Sequence, residues 1–138
     1  MKKYLLTIIL FITDIILKQI ALGNRQIYFL IPKLLAFQLF KNRSLGFSIY
    51  FPQILIIIFS WLILLGLIIL VLKKQNYFFP AALIFLGAIS NLFDRLSHGF
   101  VIDYFYLFPI SYFNLADLLI FSGVILFIIK LSAKPKIS

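Results

Sequence analysis

The stretch QILIIIFSWLILLGLIILVL, residues 53–72, carries no charged side chain. A helix that crosses the hydrocarbon core of a bilayer needs about 20 apolar residues, and this stretch supplies them. Three further apolar stretches of similar length occupy residues 4–22, 77–96 and 114–131. We therefore predict an all-α membrane protein with four transmembrane helices, organised as a single integral membrane domain over residues 1–138.

The composition agrees with this class of protein. Hydrophobic residues make up 64% of the chain and charged residues 12%, and the formal net charge is +9. Because the basic residues flank the apolar stretches, we expect them to meet anionic lipid headgroups and not nucleic acid. The chain has no cysteine and one histidine, which excludes disulfides, thiolate chemistry and a multi-histidine metal site.

The basic residues also predict how the chain is oriented. Four spans place both termini on one side, and short Lys-rich segments mark the cytoplasm. The side of the termini carries Lys2, Lys3, Lys73, Lys74, Lys130, Lys134 and Lys136. The other side carries Arg25, Lys33, Lys41, Arg43 and Arg95. We therefore expect both termini to be cytoplasmic.

The segment between the first two spans, residues 23–51, does not look like a transmembrane helix. Its two apolar runs, 26–31 and 34–40, are too short to span and are separated by Pro32. They are typical of short strands or interfacial segments, so we predict a small extracytoplasmic β-like cradle. Residues 97–112 are predicted to form an outer, periplasmic loop.

All four acidic side chains are aspartates, and each lies in or beside an apolar stretch: Asp14, Asp94, Asp103 and Asp117. A charge at the centre of a bilayer costs about 2.5–3.5 kcal/mol, so these groups must lie shallow, pair with cations or share protons. With the predicted topology, all four converge on the outer third of the membrane. That convergence predicts an active site near the outer face.

Two of the aspartates have a structural interpretation beside the functional one. Asp14 and Lys18 are four residues apart with the acid first, the favourable order for a helical ion pair. Such a pair could simply let the first helix pack in the bundle. Asp94 and Arg95 are adjacent and do not face each other on a helix, so each needs its own partner. Lys18 is a candidate partner for Asp94.

Asn114 and Asp117 also have a structural interpretation. Their spacing predicts an N-cap with a capping box, which explains Asn114 fully and Asp117 in part. His98 is expected to be a solvated loop histidine, because no nucleophile-elbow pattern accompanies it.

Five short blocks carry these polar residues in order along the chain. They read Asp14-Ile-Ile-Leu-Lys18, Asn42-Arg-Ser-Leu-Gly-Phe47, Gly87-Ala-Ile-Ser-Asn91-Leu-Phe-Asp94-Arg95, Gly99-Phe-Val101-Ile-Asp103-Tyr and Phe113-Asn114-Leu-Ala116-Asp117. Taken together, the blocks resemble the lipoprotein signal peptidases (signal peptidase II) over nearly the whole chain. The chain departs from that pattern at Ser44-Leu45-Gly46, at Leu86 and at Ser90, and its interval from Asp103 to Asp117 is shorter.

The resemblance implies an aspartic endopeptidase of the bacterial cytoplasmic (inner) membrane. Its substrate would be a prolipoprotein, cut just before a cysteine that carries diacylglycerol. The matching positions imply Asp103 and Asp117 as the catalytic pair. The residues implied to shape the site or hold the substrate are Asp14, Lys18, Asn42, Asn91, Asp94, Arg95 and Asn114. We expect no cofactor or metal, membrane lipids as neighbours, and a monomer.

The chemistry of paired carboxylates is compatible with this expectation. Two close carboxylates do not both ionise, so one can act as a base while the other holds a proton. Segments 23–51 and 97–112 would then cover the site as a cradle and a lid. One alternative is a small proton-coupled exporter, which predicts carboxylates at the bilayer midplane. Another is an inactive assembly subunit, in which the charged residues only join helices.

Overall fold

The computed structural model of the chain describes residues 2–24, 26–44 and 52–133. Its helices are α1 (Lys2–Gly23), α2 (Gln53–Lys73), α3 (Phe78–His98) and α4 (Leu115–Ser132), with a 3₁₀ turn at Gln75–Tyr77. All four α-helices are long and apolar enough to cross a membrane. This agrees with the four predicted spans. Arg25, the block residues Leu45, Gly46 and Phe47, and Lys134 and Lys136 lie outside the described residues.

Helices α3 and α4 form the closest helix pair of the bundle. A Cβ atom added to Gly87 would lie 2.4 Å from the carbonyl oxygen of Ala116, and one added to Gly123 would lie 2.8 Å from that of Pro80. Small residues let helix backbones approach closely in membranes, where apolar burial alone gives little preference for helix over lipid. The two glycines therefore set the spacing of α3 and α4.

The remaining helix surfaces are largely apolar and exposed. In α2 only Ile56 and Leu64 are buried, whereas α3 buries residues along most of its length. Exposed apolar side chains on the outer helices are what a lipid environment requires. Helix α3 is therefore the central helix, with α1, α2 and α4 around it.

A four-stranded antiparallel sheet sits at one end of the bundle. Its strands are β1 (Tyr28–Ile31), β2 (Leu35–Asn42), β3 (Val101–Leu107) and β4 (Ser111–Phe113), arranged in the order β1-β2-β3-β4. Strands β1 and β2 confirm the predicted strands of the cradle. Gly99, in a left-handed conformation with φ 77°, ends α3 and turns the chain into β3.

Residues 97–112, predicted as a loop, supply β3 and most of β4 instead. Their placement on the outer side and their role as a lid stay predictions. Strand β3 is central to the sheet and pairs with both β2 and β4. Ile102 and Tyr104 are fully buried and pack in one cluster with Ala21 of α1. Since alternate strand residues point to opposite faces, this apolar burial fixes Asp103 on the other face. Asp103 thus lies on a rigid strand.

Candidate active site

The four aspartates come together at the sheet end of the bundle. Asp14 lies just past the midpoint of α1 and Asp94 in the last turns of α3, whereas Asp117 lies in the first turn of α4. Asp103 joins them from β3. Helices α1 and α3 end where α4 begins, so three helices and a strand supply the cluster. The predicted convergence of the four carboxylates is therefore confirmed, whereas their position in the outer third of the membrane stays a prediction.

Asp103 is held from both sides by amide groups. Asp103 is buried, with 1% of its surface exposed. Asn42 Nδ2 donates to Asp103 Oδ2 at 2.9 Å, and Asn114 Nδ2 donates to Oδ1 at 2.9 Å. Burial, and next the negative charge of Asp117, raise the pKa of Asp103 to about 7. The carboxyl is therefore poised to gain or lose a proton near neutral pH.

Asp117 is held in a matching way. Asn91 Nδ2 donates to Asp117 Oδ1 at 2.8 Å, and the backbone N–H of Asn114 donates to Oδ2 at 3.1 Å. Asn114 Oδ1 in turn accepts from the backbone N–H of Asp117 at 2.8 Å, so the predicted capping box is present. Capping is not the whole role of Asn114, because its side-chain amide also donates a hydrogen bond to Asp103.

Lys18 lies at the centre of a buried ionic cluster. Its Nζ is 3.0 Å from Asp14 Oδ2 and 2.8 Å from Asp94 Oδ2. It also donates to Ser90 Oγ at 2.8 Å and to Asn91 Oδ1 at 3.1 Å. Both the predicted Asp14–Lys18 pair and the predicted Lys18–Asp94 pair are confirmed. Through Asn91, the cluster is joined to Asp117.

Asp14 contacts two residues that the sequence did not single out as site residues. Ser90 Oγ donates to Asp14 Oδ2 at 2.6 Å, and the Tyr104 hydroxyl donates to Oδ1 at 2.8 Å. Burial, and next the charge of Asp14, raise the pKa of Tyr104, which keeps its phenol protonated and able to donate. Neither contact has a local sequence signal, because Ser90 and Tyr104 lie 76 and 90 residues from Asp14 along the chain.

Arg95 and His98 lie at the edge of this network. Arg95 Nη2 donates to the Ser44 carbonyl at 3.2 Å, so it has a partner distinct from that of Asp94, as predicted. His98 is the last residue of α3 and is exposed, with its ring 5.8 Å from that of Phe100. The solvated histidine was thus anticipated, although it ends a helix and does not lie in a loop. Within residues 2–24, 26–44 and 52–133, no three His or Asp side chains are arranged to hold a metal ion.

A cavity of about 930 Å³ connects the two held carboxyls to the membrane-facing helices. Asp103, Asp117, Asn42, Asn91 and Arg95 line its polar part. Its apolar part continues along the helices and is lined by Ile56 and Ile63 of α2, Ile84 of α3, and Phe121 and Val124 of α4. Such a cavity can hold a peptide at the carboxyls with an apolar group beside it.

Comparison with known proteins identifies the family. The sequence model of the family described as Signal peptidase (SPase) II matches residues 6–133. The chain belongs to the signal peptidase II family. It is therefore a multi-pass bacterial membrane protein and a peptidase, and the exporter alternative has no support among its relatives.

Curated relatives agree along the chain. The lipoprotein signal peptidase of Staphylococcus carnosus (strain TM300) is 32% identical, with 99% of this chain and 99% of that protein covered. The one of Buchnera aphidicola subsp. Schizaphis graminum is 37% identical over 69% of this chain and 63% of that protein. Because the match to the Staphylococcus carnosus protein covers 99% of each chain, the resemblance extends over nearly the whole of this chain.

Solved structures with the same fold are known. A bacterial membrane enzyme determined by the in meso method at 1.9 Å resolution has a TM-score of 0.82 and 25% identity, over 97% of this chain and 94% of that chain. A second one, at 2.3 Å resolution, has a TM-score of 0.85 and 24% identity, over 99% and 94%. Four membrane helices with a small sheet are therefore a fold that this chain has in common with bacterial membrane enzymes.

Proposed function

We propose that this signal peptidase removes the signal peptide from diacylglyceryl-modified prolipoproteins by an aspartic mechanism, with Asp103 and Asp117 as the catalytic pair. The observation that carries the proposal is the placement of both carboxyls on one cavity that runs into the membrane-facing helices. Each carboxyl oxygen accepts one hydrogen bond from an amide, which fixes both groups.

The electrostatics of the pair support shared protonation. Asp117 lies close enough to help raise the pKa of Asp103 to about 7, so the second negative charge is disfavoured. With its pKa at about 7, Asp103 can hold a proton near neutral pH, and the pair titrates as a unit. One carboxyl is then a base and the other an acid, as peptide hydrolysis requires.

The reaction follows from that protonation state. The ionised carboxyl takes a proton from a water molecule, whose oxygen attacks the scissile carbonyl carbon. The neutral carboxyl donates to the carbonyl oxygen, which becomes the hydroxyl of a tetrahedral intermediate. Breaking of the C–N bond then releases the amine, which takes up a proton from the newly protonated carboxyl. One hydroxyl of the intermediate gives its proton to the other, ionised carboxyl as the product acid forms. Arg95 also lines the cavity, so its guanidinium is available to stabilise negative charge on the substrate oxygen.

The shape of the cavity suits a lipid-modified substrate. Helix α2 packs on α3, whereas α2 and α4 make few contacts within the described residues. A peptide can therefore enter from the bilayer between α2 and α4 and reach Asp117 at the start of α4. The apolar lining, which includes Ile63 of α2 and Val124 of α4, offers a surface for the acyl chains of the modified cysteine.

The remaining polar residues position the pair. Lys18, Asp14 and Asp94 form the buried ionic cluster that holds Asn91 against Asp117. Since both catalytic carboxyls come from one chain, we propose that the enzyme acts as a monomer. With the termini in the cytoplasm, the site faces the outer surface of the inner membrane. There the cleavage region of an inserted signal peptide arrives, because its basic end stays inside.

A gel-shift cleavage assay tests the mechanism. Wild-type, Asp103→Asn and Asp117→Asn proteins are incubated in detergent with a diacylglyceryl-modified prolipoprotein, and unmodified prolipoprotein serves as the substrate control. We expect cleavage by the wild type alone, with both variants still folded by circular dichroism. Full cleavage by either variant would contradict the aspartic pair. Equal cleavage of unmodified substrate would contradict recognition of the lipid.

A further inference from the structure

A second cavity, of about 620 Å³, lies at the end of the bundle opposite the carboxylates. The ends of α2 and α4 and the 3₁₀ turn at Gln75–Tyr77 line it. With a rise of about 1.5 Å per residue, α3 separates Phe78 from Asp94 by about 25 Å. That distance is close to the ~30 Å thickness of a bilayer core. The two cavities therefore belong to opposite membrane surfaces.

Among the described residues, no acidic side chain lines this second cavity. Lys73, Lys74 and Lys130 all line it. The four acidic side chains of the chain all lie in the site at the other end. The Lys130 ammonium donates to the carbonyl oxygen of Asn76, which holds it at the cavity wall. Three cations around one cavity repel one another, and an anion between them would lower that repulsion.

The surfaces next to the lysines are apolar. Leu72 is 77% exposed on α2, and Leu131 is 54% exposed on α4. Ile129, one turn from the cavity, is 57% exposed. A free inorganic anion would use only the lysines. An anion that also carries acyl chains would use both the lysines and these helix surfaces.

We propose that this cavity binds the headgroup of an anionic phospholipid. The phosphodiester lies among Lys73, Lys74 and Lys130, and the acyl chains lie along the exposed apolar surfaces of α2 and α4. On the predicted topology, the lipid belongs to the cytoplasmic leaflet. The proposal is independent of the peptidase mechanism, because the cavity contains none of the catalytic groups.

Native mass spectrometry of the full chain in detergent tests the proposal. The protein is mixed with equal amounts of phosphatidylglycerol and phosphatidylcholine that have the same acyl chains. We expect the wild type to retain phosphatidylglycerol preferentially. A cation near a membrane surface contributes about fivefold, so the double variant Lys73→Gln, Lys130→Gln should lower this preference about 25-fold.

A matched control removes the same charge at the other end of the molecule. The double variant Lys33→Gln, Lys41→Gln should lower the preference much less than the double variant Lys73→Gln, Lys130→Gln. All four positions are exposed, and Gln at 130 retains a donor for the Asn76 carbonyl. No preference in the wild type, or an equal loss in both double variants, would overturn the proposal. Displacement of the phospholipid by millimolar inorganic phosphate would overturn it too, since the cavity would then recognise phosphate alone.

Discussion

Asn114 joins the two carboxyls of the site, because its Nδ2 donates to Asp103 Oδ1 at 2.9 Å while its Oδ1 caps the helix that carries Asp117. The backbone N–H of Asn114 also donates to Asp117 Oδ2. One residue thus contacts a strand carboxyl and a helix carboxyl at once. The local geometry that starts α4 is the same geometry that sets the spacing of the pair.

Two substitutions of Asn114 separate capping from positioning. Ser at an N-cap keeps the cap, whereas Ala loses it at a cost of about 1 kcal/mol. Both remove the amide that donates to Asp103. We expect Asn114→Ser to be about 1 kcal/mol more stable than Asn114→Ala in thermal unfolding, while cleavage falls strongly in both. Wild-type cleavage by Asn114→Ser would mean that the residue acts only as a cap.

The raised pKa of Asp103 predicts a falling rate above neutral pH. As the pH rises through about 7, Asp103 loses the shared proton and both carboxyls become anionic. The acid of the pair is then absent, so kcat/KM should fall up to tenfold per pH unit above the apparent pKa. A pH–rate profile of prolipoprotein cleavage measures this. A constant rate from pH 7 to pH 9 would contradict the assignment.

Asn42 provides a second test of the raised pKa of Asp103, because its removal should shift that pKa in a known direction. Its amide donates to Asp103 Oδ2 and favours the ionised form, so its removal should raise the pKa of Asp103. We expect the falling limb of the pH–rate profile to move to higher pH in Asn42→Ala. Asn76→Ala, at the opposite end of the bundle, serves as the control and should leave the limb in place.

The sequence predicted the four helices, the Asp14–Lys18 pair and the Asn114 cap, because their signals are local. The apolar lengths predict the spans, and the spacing of Asp14 and Lys18 predicts their ion pair. The sheet at residues 101–113 escaped prediction because its pairing with β2 is long-range, and aromatic residues there also suit a membrane interface. Ser90 and Tyr104 escaped for the same reason, since their bonds to Asp14 join residues far apart in the chain.

The buried ionic cluster predicts unequal effects of removing its charges. Lys18 balances both Asp14 and Asp94, so Lys18→Met leaves two buried anions without a cation. Breaking a buried pair in this way costs about 3–5 kcal/mol. Asp14→Asn leaves the Lys18–Asp94 pair intact and should cost less. Thermal unfolding in detergent measures both, and a greater loss in Asp14→Asn would contradict this account of the charge balance.

Gly87 links helix packing to the site, because it lies one turn before Asn91 on the face of α3 that meets α4. A Cβ there would lie 2.4 Å from the carbonyl oxygen of Ala116, which is backbone and cannot rotate away. We expect Gly87→Ala to push α3 from α4, to lengthen the Asn91–Asp117 hydrogen bond, and to lower both the melting temperature and cleavage. The cost of forced overpacking is about 1–3 kcal/mol.

Gly66→Ala is the matched control for this prediction. Gly66 lies within α2, and a Cβ added to it would meet no atom within 4 Å. Since Ala is favoured over Gly in a helix by up to about 1 kcal/mol, this variant should be neutral or slightly stabilised and fully active. If Gly87→Ala behaved like Gly66→Ala, close packing of α3 and α4 would not be what holds Asn91 against Asp117. A loss of cleavage confined to Gly87→Ala would instead tie the positioning of Asp117 to the spacing of the two helices.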